Sequence, residues 1–256
     1  MRKVLLTGAS GKVGSAFLRY AGEHYDLRLV DRDISRLVPA PNYEIVEANL
    51  VDMDACQRVC TGIDTVLHLA ADPSPAADFY GSLLDNNVKA MYNMFQAAKD
   101  QGCQRIIFAS SIQVIEGYPL DVQPTPQSPI KPRNLYAVCK AMGEAMAHHY
   151  AYAEGLSSIA VRVGAFGGNQ PMDVYDGRRL SAYVSERDMT HLFVCCIERP
   201  DIQFAILHAV SDNRFKRMDI TSTKEIVGYQ PQDDAFQVFE TGIPYGKRWF
   251  DEEESR

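Results

Sequence analysis

The stretch Val4-Leu5-Leu6-Thr7-Gly8-Ala9-Ser10-Gly11-Lys12-Val13-Gly14 decides how this chain folds. Its short apolar run suits a strand buried on both faces of a parallel sheet. The residues from Lys12 to Leu18 then read as the start of a helix with an apolar face at Val13, Ala16, Phe17 and Tyr20. Three glycines on a three-residue beat between strand and helix each have a task. One turns the chain, one lets the backbone approach a pyrophosphate, and one lets helix pack close on strand. The N–H groups and positive dipole end of the helix face the phosphates. A tight strand-to-helix turn uses glycine with or without a ligand, so the next element weighs heavily. Leu27-Arg28-Leu29-Val30-Asp31 reads as a second strand ending in an acid. Asp31 comes about twenty residues after the glycine loop, the spacing at which a carboxylate meets the adenosine ribose of a dinucleotide. Asp31 would repel a 2′-phosphate, which favours NAD over NADP, although Arg32 beside it attracts such a group.

The bulk properties frame this reading. A chain of 256 residues suits one domain, or a domain with a smaller lobe. Hydrophobic residues at 46% and charged residues at 23% are ordinary for a soluble globular protein. A net charge of −7 with no basic stripe argues against nucleic acid as a partner. No apolar run approaches a membrane span, and Val4-Leu5-Leu6 is too short for an export-signal core. The six cysteines (Cys56, Cys60, Cys103, Cys139, Cys195 and Cys196) form no CxxC pair. They are expected to be reduced and buried, in a cytoplasmic protein without a metal site.

Further along, strand and helix alternate. Strands are expected at 43–48, 65–69, 105–109, 158–163 and 204–208, and helices at about 52–60, 79–101, 134–152 and 185–198, the last opened by a Ser185/Asp188 cap. This order implies right-handed crossovers and an α/β fold with a Rossmann-type, doubly wound parallel sheet. Residues 1–163 would form the NAD-binding domain, with the strand near 204–208 added to its sheet. Residues 164–256 would supply mainly a small carboxyl-terminal substrate-binding lobe, unable to fold alone. Ligands in such sheets collect at the carboxyl ends of the strands. Gly117, Pro119, Pro124, Pro126, Pro129 and Pro132 forbid a regular element over 117–132, leaving a long loop at that end.

Tyr136 and Lys140 lie four apart on the helix after this loop, hence on one face. Of the chain's 13 tyrosines, Tyr136 alone has a lysine at that spacing. A phenol is a poor base at neutral pH. A neighbouring ammonium and the positive nicotinamide ring favour its phenolate. Ser111, at the end of the fifth strand, would hold a substrate oxygen while Tyr136 takes the hydroxyl proton and hydride leaves for the nicotinamide. His68 reads as a strand-end residue beside the cofactor. Asp72 and Ser74 would touch substrate hydroxyls or cap their loop. Arg162 would satisfy buried carboxylate or backbone groups. Trp249 and Phe250 would close over the pocket or pack in the core.

Together, Thr7 to Gly14, Asp31, His68-Leu69-Ala70-Ala71, Asn87, Ser110-Ser111, Tyr136-Ala137-Val138-Cys139-Lys140 and Arg162-Val163-Gly164 resemble the extended short-chain dehydrogenase/reductase (NAD-dependent epimerase/dehydratase) family. The resemblance implies a catalytic group of Ser111, Tyr136 and Lys140. It implies that Asn49 and Leu50 flank the adenine, with Leu69, Ala70 and Ala71 along the diphosphate and ribose. Ala109 and Val163 join the cofactor site, Lys140 also bonds the nicotinamide ribose, and Asn87 helps to order Lys140 or the active-site chain. Within the family the chain is similar to bacterial uronate dehydrogenases, through Arg105 to Ser111, Gly117-Tyr118-Pro119, Lys131 to Tyr136 and Arg178-Arg179-Leu180-Ser181. That likeness makes Arg178 the grip for a substrate carboxylate. Two positions depart from it: Ile112-Gln113 replaces a polar Asn-His pair, and Ala165 replaces a serine. Ile112, Gln113, Ser74 and Arg178 thus join Ser111 as expected substrate contacts.

The expected activity is NAD-dependent oxidation of a hydroxyl of a sugar or sugar acid. Its rivals are a nucleotide-sugar epimerase or dehydratase, which needs a larger carboxyl-terminal lobe, and a non-catalytic NAD sensor. Homodimerisation is expected through the helices at about 86–101 and 135–152, whose Met91, Met94, Phe95, Met142 and Met146 exceed what one sheet face needs.

Overall fold

The computed structural model describes residues 1–167 and 177–241. Gly168, Asn169, Trp249, Phe250 and the charged tail lie outside the described residues. Seven parallel strands form one sheet in the order β3-β2-β1-β4-β5-β6-β7. They are β1 (Lys3–Thr7), β2 (Asp26–Asp31), β3 (Tyr43–Glu47), β4 (Thr65–His68), β5 (Arg105–Ser111), β6 (Ser157–Val163) and β7 (Phe204–Ala209). The chain starts in the middle, winds outward to β3, returns to β4 and winds outward the other way. The order reverses between β1 and β4, so both strands end at the same crevice.

Helices cover both faces because the central strands are apolar on both. Val4, Leu5 and Leu6 of β1 are all fully buried. On one face α1 (Lys12–Ala21) and α6 (Glu186–Glu198) pack together, contributing Phe17, Met189 and Phe193. On the other, α2 (Met53–Cys60), α3 (Ala90–Asp100) and α4 (Leu135–Tyr152) contribute Val59, Met91, Phe95 and Tyr150. Polar residues fix where helices begin. Asp52 Oδ1 accepts from the Asp54 N–H at 3.0 Å, Asn134 Oδ1 from Ala137 at 2.8 Å, and Ser185 Oγ from Asp188 at 3.1 Å. The remaining short helices are α5 (Gly177–Ala182), α7 (Thr221–Val227) and α8 (Ala235–Thr241). Leu180, Tyr183 and Ala235 join α5 to α8 in a small separate cluster.

Two expectations need correction. The single helix read over 79–101 is wound as a π-helix over Phe79–Lys89 before becoming α3. Apolar periodicity carries no signal for this wider winding, which is tied to the loop after β4 through Ser82 and Asn87. Met91, Met94 and Phe95 are consumed by the sheet face, all 0–1% exposed. The apolar surface left on these helices is instead Tyr80, Tyr92, Leu135, Val138, Met142 and Tyr152. Among the described residues, no helix is long and apolar enough to cross a membrane. All six cysteines are buried and unbridged.

Candidate active site

A cleft of about 890 Å³ runs along the carboxyl ends of the strands. At one end lies the glycine loop. Gly8 has φ +70°, and a Cβ there would meet the Ala70 backbone nitrogen at 2.8 Å. A Cβ on Gly14 would stand 2.4 Å from the Gly8 carbonyl oxygen and 2.7 Å from that of Ala9, so only glycine lets α1 begin this close to β1. No side chain caps the first turn of α1, and Gly11, Lys12, Val13 and Gly14 line the cleft. The first-turn N–H groups that a helix cannot satisfy internally therefore stand at the wall, where an anion would complete them. Asp31, Arg32, Asn49, Leu50, Leu69, Ala70 and Ala71 line the same half. The Asp31 carboxylate accepts the N–H of Ser10 at 3.0 Å and that of Arg32 at 2.7 Å, which ties β2 to the glycine loop. These residues fit a dinucleotide.

At the other end β5 and α4 meet. Ser111 is the last residue of β5, and its Oγ accepts from the Gln113 N–H at 3.2 Å. Tyr136 and Lys140 are both buried on the inner face of α4, and all three side chains line the cleft with Ala109, Ile112, Gln113 and Val163. Lys140 Nζ donates to the Ala109 carbonyl at 2.7 Å and lies 5.7 Å from the centre of the Tyr136 ring. Burial pushes Lys140 down to about 8. Burial raises the Tyr136 phenol above the ordinary range, the Ser111 hydroxyl beside it draws it down, and Asp72 raises it further. Desolvation is the largest of these influences.

His68 is buried, with Nδ1 2.8 Å from the Thr7 hydroxyl, and burial together with the Lys140 charge holds it down at about 3. It is a neutral strand-end residue. The Asn87 side chain is bonded to the loop after β4. Its side-chain oxygen accepts from the Asp72 N–H at 2.8 Å and its amide donates to the Asp72 carbonyl at 3.0 Å. It therefore shapes the loop after β4. Ser74 Oγ accepts the Ala76 N–H at 3.2 Å in its own loop, between Pro73 and Pro75 of the cleft wall. Arg178 lines the cleft and is not a lone cation, since its Nε donates to Glu116 at 2.9 Å. Glu116, Arg36 and Arg179 line the cleft without having been singled out in the sequence. Glu116 follows a short 3₁₀ turn and meets its partner 62 positions away, so no local pattern marks it.

The model of the NAD-dependent epimerase/dehydratase family matches residues 4–190. The chain belongs to that family. Among its relatives, an NAD-dependent glucose-6-phosphate dehydrogenase of Haloferax volcanii is 35% identical, over 94% of this chain and 97% of that protein. A uronate dehydrogenase of Pseudomonas syringae pv. tomato is 29% identical, over 94% of this chain and 85% of its own length. A mutant uronate dehydrogenase from Agrobacterium tumefaciens, solved in complex with NAD, superposes with a TM-score of 0.84 at 28% identity, covering 96% of this chain and 92% of that one. This member of the epimerase/dehydratase family is an NAD-dependent oxidoreductase, similar over nearly its whole length to proteins named as sugar and sugar-acid dehydrogenases.

Proposed function

We propose that this protein oxidises the anomeric hydroxyl of a sugar or sugar acid, with Ser111, Tyr136 and Lys140 as the catalytic group. One observation carries the reading. A serine hydroxyl, a phenol and a lysine share one end of a cleft whose other end has the glycine loop and Asp31. NAD, when bound, supplies the hydride acceptor. Ser111 holds the substrate oxygen by hydrogen bonding, and Tyr136 accepts the hydroxyl proton as the carbonyl forms. Lys140, anchored on the Ala109 carbonyl, holds the nicotinamide ribose and keeps positive charge near the phenol. Gly8, Gly11, Lys12, Val13 and Gly14 take the diphosphate and Asp31 takes the adenosine ribose.

Arg178 and Arg179, opposed by Glu116, leave this end of the cleft with an excess of positive charge for a substrate carboxylate or phosphate. The relatives named for uronate and for glucose 6-phosphate support an anionic sugar. Segments α5 and α8 form the small substrate-side lobe. The apolar surface of Tyr92, Leu135, Val138 and Met142 pairs two copies, and the unbridged cysteines suit a reducing cytoplasm. NADH formation across a panel of uronates, glucose 6-phosphate, neutral aldoses and nucleotide sugars tests the function. Turnover of an anionic free sugar is the expected result. Turnover of nucleotide sugars alone, or of nothing despite tight NAD binding, overturns it.

A further inference from the structure

Behind the three residues just assigned lies a second polar chain that the proposed chemistry does not use. Ser110, Glu144, Arg162 and His208 are all buried, none more than 4% exposed. Glu144 sits one turn beyond Lys140 on α4. Its Oε1 accepts from the Ser110 hydroxyl at 2.6 Å and from Arg162 Nε at 2.8 Å. Its Oε2 accepts from Arg162 Nη2 at 2.8 Å. Arg162 Nη1 faces His208 Nε2 at 3.4 Å and the Pro126 carbonyl at 3.5 Å. His208 Nδ1 lies 2.8 Å from the Asp219 carbonyl, which only an N–H can satisfy, so Nε2 is the acceptor toward Arg162. Every proton in the chain therefore has one direction.

A desolvated ion pair is an inefficient way to hold a fold together, because apolar residues of similar volume often do so as well or better. What a fully satisfied buried network adds is a single allowed arrangement. Its location shows which arrangement is fixed. Three consecutive β5 residues each meet α4: Ala109 through Lys140 Nζ, Ser110 through Glu144, and Ser111 beside Tyr136. Arg162 clamps Glu144 from β6, and its far nitrogen reaches the proline-rich loop at Pro126. We propose that Ser110, Glu144 and Arg162 are positioning residues that fix the axial register of α4 on β5, and thereby the approach of the Tyr136 hydroxyl to Ser111. The proposal rests on the catalytic reading of Ser111, Tyr136 and Lys140 given above.

The groups facing the Tyr136 side chain are few, so a slip in register has a readable consequence. Ser111 comes from β5, Asp72 from the loop after β4, and Lys140 from the same helix. The π-helical stretch packs Leu83, Phe79 and Val88 into the same apolar cluster as Tyr136, together with the Cys139 thiol of α4, and brings Asn86 to the cleft wall. Retreat of Ser111 removes the one facing hydroxyl that draws the phenol down. The test compares Ser110→Ala and Glu144→Gln with wild type and Tyr136→Phe, using the best substrate of the panel above. Ser110→Ala removes one hydroxyl, keeps the ion pair intact, and remains informative if Glu144→Gln fails to fold. Expected for Ser110→Ala is a kcat reduced about tenfold, an acid limb of the kcat/KM profile displaced to higher pH, and NAD affinity unchanged. Glu144→Gln should lose about a hundredfold in kcat. A Ser110→Ala enzyme with wild-type kcat and a superimposable pH profile, whatever its melting temperature, reduces the network to scaffolding and overturns the proposal. Full activity in Tyr136→Phe instead overturns the catalytic reading beneath it.

Discussion

Replacing Gly14 by alanine puts the geometry of the glycine loop under a quantitative test. The added methyl carbon would lie 2.4 Å from the Gly8 carbonyl oxygen and 2.7 Å from that of Ala9, whereas ordinary contact begins at 3.4 Å. Both obstacles are backbone atoms, so no side chain can rotate away. Relief requires α1 to withdraw from β1 by about 1 Å, against a flank where Ala16, Phe17 and Ala21 are already packed without exposure beyond 1%. Overpacking of this kind costs about 1–3 kcal/mol. The same withdrawal displaces the first-turn N–H groups that would meet the diphosphate, so NAD affinity should fall by roughly tenfold to a hundredfold, with about 1.4 kcal/mol for each decade. Gly102→Ala is the control. Gly102 has φ +72° with nothing within 4 Å of its Cβ, at the opposite end of the strands from the cleft. It should lose about 1–2 kcal/mol of stability through backbone strain alone and bind NAD as wild type does. Calorimetric NAD titration and thermal unfolding of the two variants separate these effects. A Gly14→Ala protein with wild-type NAD affinity and stability refutes the close-packing argument.

Exchanging Asp31 for serine removes the carboxylate that would meet a 2′-phosphate while Arg32 and Arg36 remain on the cleft wall, so NADP should gain at least about tenfold relative to NAD in kcat/KM. An unchanged cofactor ratio counts against Asp31 as the discriminating group. His68 and His208 are both held at about 3 by burial against an ordinary value of 6.5. The unfolded chain therefore binds more protons than the folded one between these limits, and stability should fall as pH drops from 6.5 toward 3, by up to about 1.4 kcal/mol per pH unit for each histidine. Denaturant unfolding of His68→Asn should show a shallower slope over that window, and an identical slope contradicts the assignment. For the helix-pair interface, Val138→Glu should shift a dimer to monomer in sedimentation at micromolar concentration, while a wild type that is monomeric there removes the interface.

Much of the fold was legible because strand and helix periods differ and the glycine loop anchors their order. Capping residues Asp52, Asn134 and Ser185 put the helix starts within a residue of where they were read. Local pattern failed where pairing is long-range. Asn87 lies on the long helix, and no local pattern shows that its amide binds the Asp72 backbone 15 positions earlier. The sequence left substrate contact and loop capping equally open for Ser74, whose Oγ accepts the Ala76 N–H in its own loop. The i, i+4 spacing correctly put Tyr136 and Lys140 on one buried face, but spacing says nothing of desolvation, which raises the phenol and lowers the ammonium. The partners of Arg162 are drawn from α4, β7 and the proline-rich loop, 18 to 46 positions away, and no window in the chain could reveal them.

The central claim is that Tyr136, as its phenolate, accepts the substrate proton. Its most direct test is single-turnover NADH formation by Tyr136→Phe, with NAD affinity measured on the same protein. The account predicts intact NAD binding and a hydride-transfer rate reduced by at least about a hundredfold at every pH. A variant that binds NAD and reduces it at the wild-type rate would contradict it.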